Sequence, residues 1–170
     1  MWFVSVLIIF QLTISIDGYG RTFLKIENCS SSGETINIEE CYLKNNKFNM
    51  ILNYRAKRPA REDLKQFSVY KMDNNNPKIL FKMPELDMCK MSRKSSSPNP
   101  VAKRLLEVFK GIVPKNYSCP FVGRMQLKDF TLNDKIFFLF PNGVIRFTVT
   151  GRNHFDNFAM FLSVLLEINN

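Results

Sequence analysis

Residues 46–57 read NKFNMILNYRAK, and they constrain the chain more than any other segment. Phe48, Met50, Leu52, Tyr54 and Ala56 recur at every second position, while Lys47, Asn49, Asn53, Arg55 and Lys57 fill the positions between. Ile51 is the one apolar exception on the second set. A period of two places alternate side chains on opposite faces of an extended chain, so this segment predicts a strand with one face in a core. Pro59 ends it, because proline cannot donate to a sheet ladder. A single strand cannot bury its own face, so the rest of the chain has to supply a sheet and a layer to cover it.

The other periodic segments are also strand-like. FLKIEN precedes Cys29, INIEECYLK contains Cys41, and Asn45-Asn46 after it has the composition of a hairpin turn. LKQFSVYKM places Phe67 and Val69 on one side; DNNNP at 73–77 then turns the chain into KILFKM, a second hairpin. RMQLKDFTL, KIFFLF and GVIRFTVTGR follow, with Pro141-Asn142-Gly143 a tight-turn signal before the last and Ile145, Phe147 and Val149 facing inward. FDNFAMFLSVLLEI is apolar on both faces, which suits a central strand following a hairpin partner. One segment departs from this period. In SSSPNPVAKRLLEVFKGIVPKNYSCPF, Asn99 can cap a helix and Pro100 can begin it. Val101, Leu105, Val108 and Phe109 share a helical face, and Gly111 and Pro114 stop the helix. A short amphipathic helix is expected at about 100–110, packed on a sheet because it is too short to stand alone.

Phe3 to Ile16 is mostly apolar and uncharged, and small residues follow at Ser15, Gly18 and Gly20. This predicts a secretory signal peptide at 1–20 and a single mature domain at 21–170, an extracellular protein of about 150 residues. No later stretch is long and apolar enough to be expected to span a bilayer. Four cysteines remain: Cys29, Cys41, Cys89 and Cys119. An even count in a secreted chain implies two disulfides in one of three connectivities, of which the sequential pairing, Cys29–Cys41 and Cys89–Cys119, is the expectation. The cysteines lie 12, 48 and 30 residues apart with no C-x-x-C pair, so no metal site is expected. Asn28-Cys29-Ser30 and Asn116-Tyr117-Ser118 are glycosylation sequons, with Asn116 the more accessible candidate.

The net charge is +9, and its densest cluster is Arg55, Lys57, Arg58 and Arg61. In a secreted chain such a cluster suits a receptor or an acidic glycan; nucleic acid is not expected. Catalytic constellations are hard to assemble. His154 is the single histidine, there is no G-x-S-x-G elbow, and there is no glycine-rich phosphate loop. Glu39 and Glu40 are adjacent and would point to opposite faces of a strand. Glu62-Asp63 and Glu85 with Asp87 are carboxylate pairs in spacing alone. An enzyme is not expected, and no cofactor is implied. The apolar inventory is more informative. Fourteen phenylalanines and seven methionines follow residue 20. They can fill a solid core, or they can line an adaptable cavity between two sheets.

IEECYLK, Cys89, NPVAKRLLEVFK and NYSCPF together resemble a large family of secreted insect proteins of unknown function that includes the CheB proteins linked to contact-pheromone sensing. That family is distantly similar to ML lipid-recognition domains. The pairing of NPVAK with SCPF about 15 residues later is the most specific piece, and the resemblance runs from Phe23 to Ile168. It implies a mostly β, immunoglobulin-like antiparallel β-sandwich of the ML type, with an apolar ligand held between two sheets. ML domains often carry a disulfide linking distant parts of the chain, from which the sequential pairing departs. The expected function is therefore a secreted, monomeric, non-enzymatic binding protein for a lipid or a hydrocarbon of pheromone type, in a chemosensory setting by analogy. Its ligand cavity would be lined by Phe48, Met50, Leu52, Tyr54, Phe67, Val69, Phe81, Leu105, Phe109, Ile145, Phe147 and Phe161. The alternative is a ligand-free interaction module that meets a membrane receptor or an acidic glycan through Arg55–Arg61.

Overall fold

The computed structural model describes residues 20–55, 63–74, 76–89, 119–131 and 140–169. They form β1 (Gly20–Ser31), β2 (Ile36–Lys44), β3 (Lys47–Tyr54), β4 (Asp63–Asp73), β5 (Asn76–Lys82), β6 (Leu86–Asp87), β7 (Gly123–Phe130), β8 (Gly143–Asn153) and β9 (Asp156–Asn169). Two antiparallel sheets share one core, the arrangement of a β-sandwich. The larger runs β1-β9-β8-β4-β5, with β6 also paired to β4; the smaller runs β2-β3-β7. The predicted helix at about 100–110 and the KIFFLF segment up to Leu139 lie outside the described residues, as do residues 1–19 of the expected leader.

Turn chemistry places two of the hairpins. Asn45 and Asn46 both have positive φ (50° and 56°) and join β2 to β3 between the Lys44 and Lys47 pair. Two positive φ values in a two-residue loop match the right-handed twist of the flanking strands, and asparagine tolerates them. Asn46 also reaches the other sheet: its Oδ1 accepts from the Phe23 N–H at 2.7 Å, and its Nδ2 donates to the Arg21 carbonyl at 3.1 Å. Asn74 takes a φ of 49° between Asp73 and Asn76, closing the β4–β5 hairpin in the DNNNP segment. The Asn142-Gly143 signal acts differently. It precedes β8, whose two edges from Ile145 to Asn153 are occupied by β4 and β9.

β9 is a strand, as its apolar sequence predicts, and it is central, paired to β1 on one side and β8 on the other. Met160, Leu162, Val164, Leu166 and Ile168 face the core and are buried. They meet Phe48, Met50, Leu52 and Tyr54, the alternating face of β3, within the same buried cluster. Asn49 and Ile51, on the other face of β3, are buried as well. There β3 is the middle strand, and Asn49 Oδ1 accepts from the Asp129 N–H at 2.9 Å.

Covalent and polar links join the sheets. Cys29 of β1 is bonded to Cys41 of β2, with Cα atoms 6.5 Å apart, so two edge strands from different sheets are tied together. Cys89 is bonded to Cys119, Cα to Cα 5.4 Å, bringing together the ends of the segment 90–118. The sequential connectivity is therefore the one formed. At the far end of the sandwich, Asn153 Nδ2 donates to Thr35 Oγ1 at 2.8 Å, with both side chains buried.

These contacts can be tested by removing them. In the chain-entropy account, Cys29→Ala/Cys41→Ala should cost about 3 kcal/mol and Cys89→Ala/Cys119→Ala somewhat more, about 3.5 kcal/mol, because the second loop is longer. Urea midpoints of the two double variants, each against wild type, check that order. Gly151 lies between Lys65 and Met160 in the register. A Cβ there would sit 2.6 Å from Met160 Cγ and 2.7 Å from Lys65 Nζ. Gly151→Ala should therefore destabilise the fold by roughly 1–3 kcal/mol through overpacking, read from the same titration.

Candidate functional site

Of the residues expected to line an apolar cavity, Phe48, Met50, Leu52, Tyr54, Phe67, Val69 and Ile145 are buried and belong to one cluster between the sheets. Their rings meet in tilted pairs: Phe23 with Phe48 at 6.1 Å, Tyr54 with Phe121 at 5.5 Å and Phe67 with Phe147 at 6.1 Å. Leu105 and Phe109 lie outside the described residues. Phe161 does not belong with the others. Met160 and Leu162 face inward, so the alternation of β9 turns Phe161 to the opposite face of the large sheet. A segment apolar on both faces gives no sequence signal for which of its residues point in.

The inner face has one irregular position. Phe147 lies at mid-strand on β8, paired with Val69 on one side and Val164 on the other. Its inward neighbours along β8, Ile145 and Val149, are buried, as are Val69 and Val164, yet Phe147 is only partly buried. Phe81, paired with Val69 on β5, is partly buried too, and Leu80 beside it occupies a register shift. The geometry of the two sheets accounts for this. Three strands spaced about 4.8 Å apart are narrower than five, so the small sheet by itself cannot roof the full width of the large one. Phe147 on β8 and Phe81 and Leu80 on β5 pack on the core and keep partial contact with solvent.

A concavity lies on the outer face of the large sheet and was not anticipated from sequence. It is a cleft of about 600 Å³. The register explains it. Asn28, Ser163, Thr148, Ser68 and Lys82 are paired in sequence across β1, β9, β8, β4 and β5, forming one row. The middle three of these are small, and they are 4%, 8% and 5% exposed, so they form a floor. Larger side chains stand on either side: Phe161 and Gln66 in one neighbouring row, Arg146 and Tyr70 in the other.

A β-bulge aims the charged group in this cleft. Between Ile26 and Asn28 the pairing of β1 with β9 slips by one residue, and Glu27 is the extra residue. A bulge redirects side chains, and here the Glu27 carboxylate reaches β8 and β9. Arg146 donates to it twice, from Nε at 2.5 Å and from Nη2 at 2.8 Å, and Ser163 Oγ donates at 2.9 Å. The Arg146 bond holds the Glu27 carboxyl below its ordinary 4.5, against burial that pushes it up, with Ser163 adding to the lowering. The same contact pushes Arg146 further toward its charged form. A period of two cannot find this site. With Phe23 inward it would also turn Lys25 and Glu27 inward, whereas two register shifts make Phe23, Ile26 and Cys29 the inward set, spaced by three.

The remaining candidates have structural placements. Glu39 accepts from Asn53 Nδ2 at 2.8 Å and pairs with Arg124 at 2.9 Å. Glu85 accepts from Arg152 at 2.6 Å, and Asp87 Oδ1 accepts from the Cys89 N–H at 2.9 Å. His154 is exposed, its ring against Phe155 with centroids 3.8 Å apart. Asn28 is exposed at the cleft, and Arg55 is exposed after β3; Asn116, Lys57, Arg58 and Arg61 lie outside the described residues. Among the described residues, no three His, Cys, Asp or Glu side chains come together to hold a metal ion. No helix among them is long and apolar enough to cross a membrane.

Residues 65–147, from β4 into β8, match the model of a family described as a protein of unknown function (DUF1091). No curated protein matches the chain. The family description names no ligand and no activity.

The Glu27–Arg146 contact has a pH signature. The carboxyl titrates lower folded than unfolded, so its stabilisation is present above about 4.5 and is lost as pH falls from there through the folded value. Both side chains are partly exposed, at 20% and 27%, which limits the pair to about 1 kcal/mol or less. Glu27→Gln should therefore lower stability at pH 7 and converge on wild type in acid. Glu85, also lowered by its arginine, keeps its own acid dependence in both proteins. Urea midpoints of the two proteins at pH 7 and below pH 4 provide the comparison.

Proposed function

We propose that this chain is a secreted, non-enzymatic binding protein for a hydrophobic small molecule of lipid or hydrocarbon type, taken up between its two sheets. The observation that carries this reading is Phe147. It lies among buried neighbours at the middle of the large sheet's inner face, and it keeps contact with solvent. An apolar molecule that covers Phe147, Phe81 and Leu80 removes that surface from water at about 25 cal/mol per Å², before the costs of binding. The methionines of the same cluster, Met50, Met83 and Met125, are long and unbranched and can adjust to a guest. Two disulfides suit an oxidising, extracellular compartment. The resemblance of IEECYLK, NPVAK and SCPF to CheB-type and ML-type proteins supports the same ligand class and a chemosensory setting.

The sequence holds one tryptophan, Trp2, which lies within the expected leader. A Phe147→Trp variant of residues 20–170, secreted from cultured cells, therefore carries a single reporter at the proposed entrance. Titration with cis-parinaric acid should give energy transfer from the introduced indole that saturates in the micromolar range. Phe147→Asp should weaken uptake at least about tenfold, a loss of about 1.4 kcal/mol. Arg55→Glu, at the exposed end of β3, should leave uptake unchanged. Absence of any saturable transfer in a folded Phe147→Trp protein would sink the reading.

A further inference from the structure

We propose that the outer cleft of the large sheet is a saccharide-binding site. Its floor and walls carry hydroxyl and amide groups from four strands: Ser163, Thr148, Ser68, Gln66, Thr150 and Asn28. Two of the hydroxyls have protein partners. Ser163 donates to Glu27, and Thr148 Oγ1 donates to the Ser68 carbonyl at 3.4 Å. The side chains of Ser68, Gln66, Thr150 and Asn28 have no hydrogen-bond partner among the described residues. Hydroxyls and amides both donate and accept, which suits a ligand whose own groups are hydroxyls and amides.

Charge and shape narrow the class. Arg146 is engaged by Glu27, so of the three charged groups in the cleft only Lys82 has no opposite charge beside it among the described residues. A strongly anionic ligand would have to compete with Glu27 for Arg146, and a neutral polyhydroxylated one would not. Apolar surface is offered at two corners, by Phe161 on β9 and Tyr70 on β4, both partly buried. They lie two strands and four residues apart in the register, about 16 Å on the pleat. Aromatic faces at the ends of a polar trough suit the C–H faces of two or three linked sugar rings better than a single ring.

Asn28, the asparagine of the Asn28-Cys29-Ser30 sequon, lines this same cleft. The saccharide therefore has two possible sources, a glycan carried by Asn28 itself or a glycan from outside. The shared chemistry is the same, and the test separates them.

The full chain is secreted from cultured cells as wild type, Ser30→Ala (which removes the sequon while leaving Asn28 in the cleft), and Phe161→Ala and Gln66→Ala in each background, with folding checked by melting. Saturation-transfer NMR uses N,N′-diacetylchitobiose, mannobiose and lactose as probes, with inorganic phosphate as a competitor. An outside source is expected to show as transfer to at least one sugar in the Ser30→Ala protein, weakened at least about tenfold by Phe161→Ala or Gln66→Ala and insensitive to phosphate. An intrinsic source shows as a glycan on wild-type Asn28 whose core resists endoglycosidase and becomes cleavable in Phe161→Ala. No transfer to any of the three sugars, together with an Asn28 that is bare or carries a freely cleaved glycan, overturns the proposal. Displacement of the sugars by phosphate overturns it as well. Parinaric acid uptake reads the inner face separately, so failure of one site is distinguishable from failure of the other.

Discussion

The structure depends on the alternation along β9. This strand is central, fourteen residues long, and paired over most of its length with β1 and β8. Its inner side chains, Met160 to Ile168, supply the ridge against which β3 packs. Its outer side chains decide what the exposed face of the sheet looks like. A slip of one residue would exchange the two sets, sending Phe161 and Leu165 inward and Leu162 and Val164 to solvent. Interior packing therefore sets the register, and the register in turn sets the row of small residues under the outer cleft.

Irregularities in the sheet place the groups that could act. β1 carries two register shifts, and together they keep Phe23, Ile26 and Cys29 on the core side. The third of these reaches Cys41 and links the sheets; the second shift turns Glu27 outward to Arg146 and Ser163. One local distortion thus serves both the covalent tie of the sandwich and the electrostatics of its outer face. The carboxylates that attract attention in the sequence, Glu39 and Glu85, are engaged by Arg124 and Arg152.

Both candidate sites use the large sheet, on opposite faces. The inner one follows from unequal width, since three strands are opposed to five and aromatic surface at Phe147 and Phe81 keeps access to solvent. The outer one follows from unequal side-chain size within one face. Both are built from strand residues. Because the matching family's description names no activity, the geometry is the main guide to function.

Much of the fold was legible in the sequence, because its signals are local. The period of two in β3 and the asparagine turns after β2 and β4 each require only neighbouring residues to interpret. They predicted most of the described strands, the two hairpins and seven of the buried core positions, and the sequential pairing expected among three connectivities is the one formed. What the tertiary structure alone decided is non-local. Which face of β9 holds Phe161, which residues of β1 form bulges, and which small side chains line up across five strands depend on pairings between segments more than a hundred residues apart, such as Glu27 with Arg146. No window of sequence contains both partners of such a contact. The alternation therefore determined that this chain builds sheets, and packing between distant strands determined which side chains each face of those sheets presents.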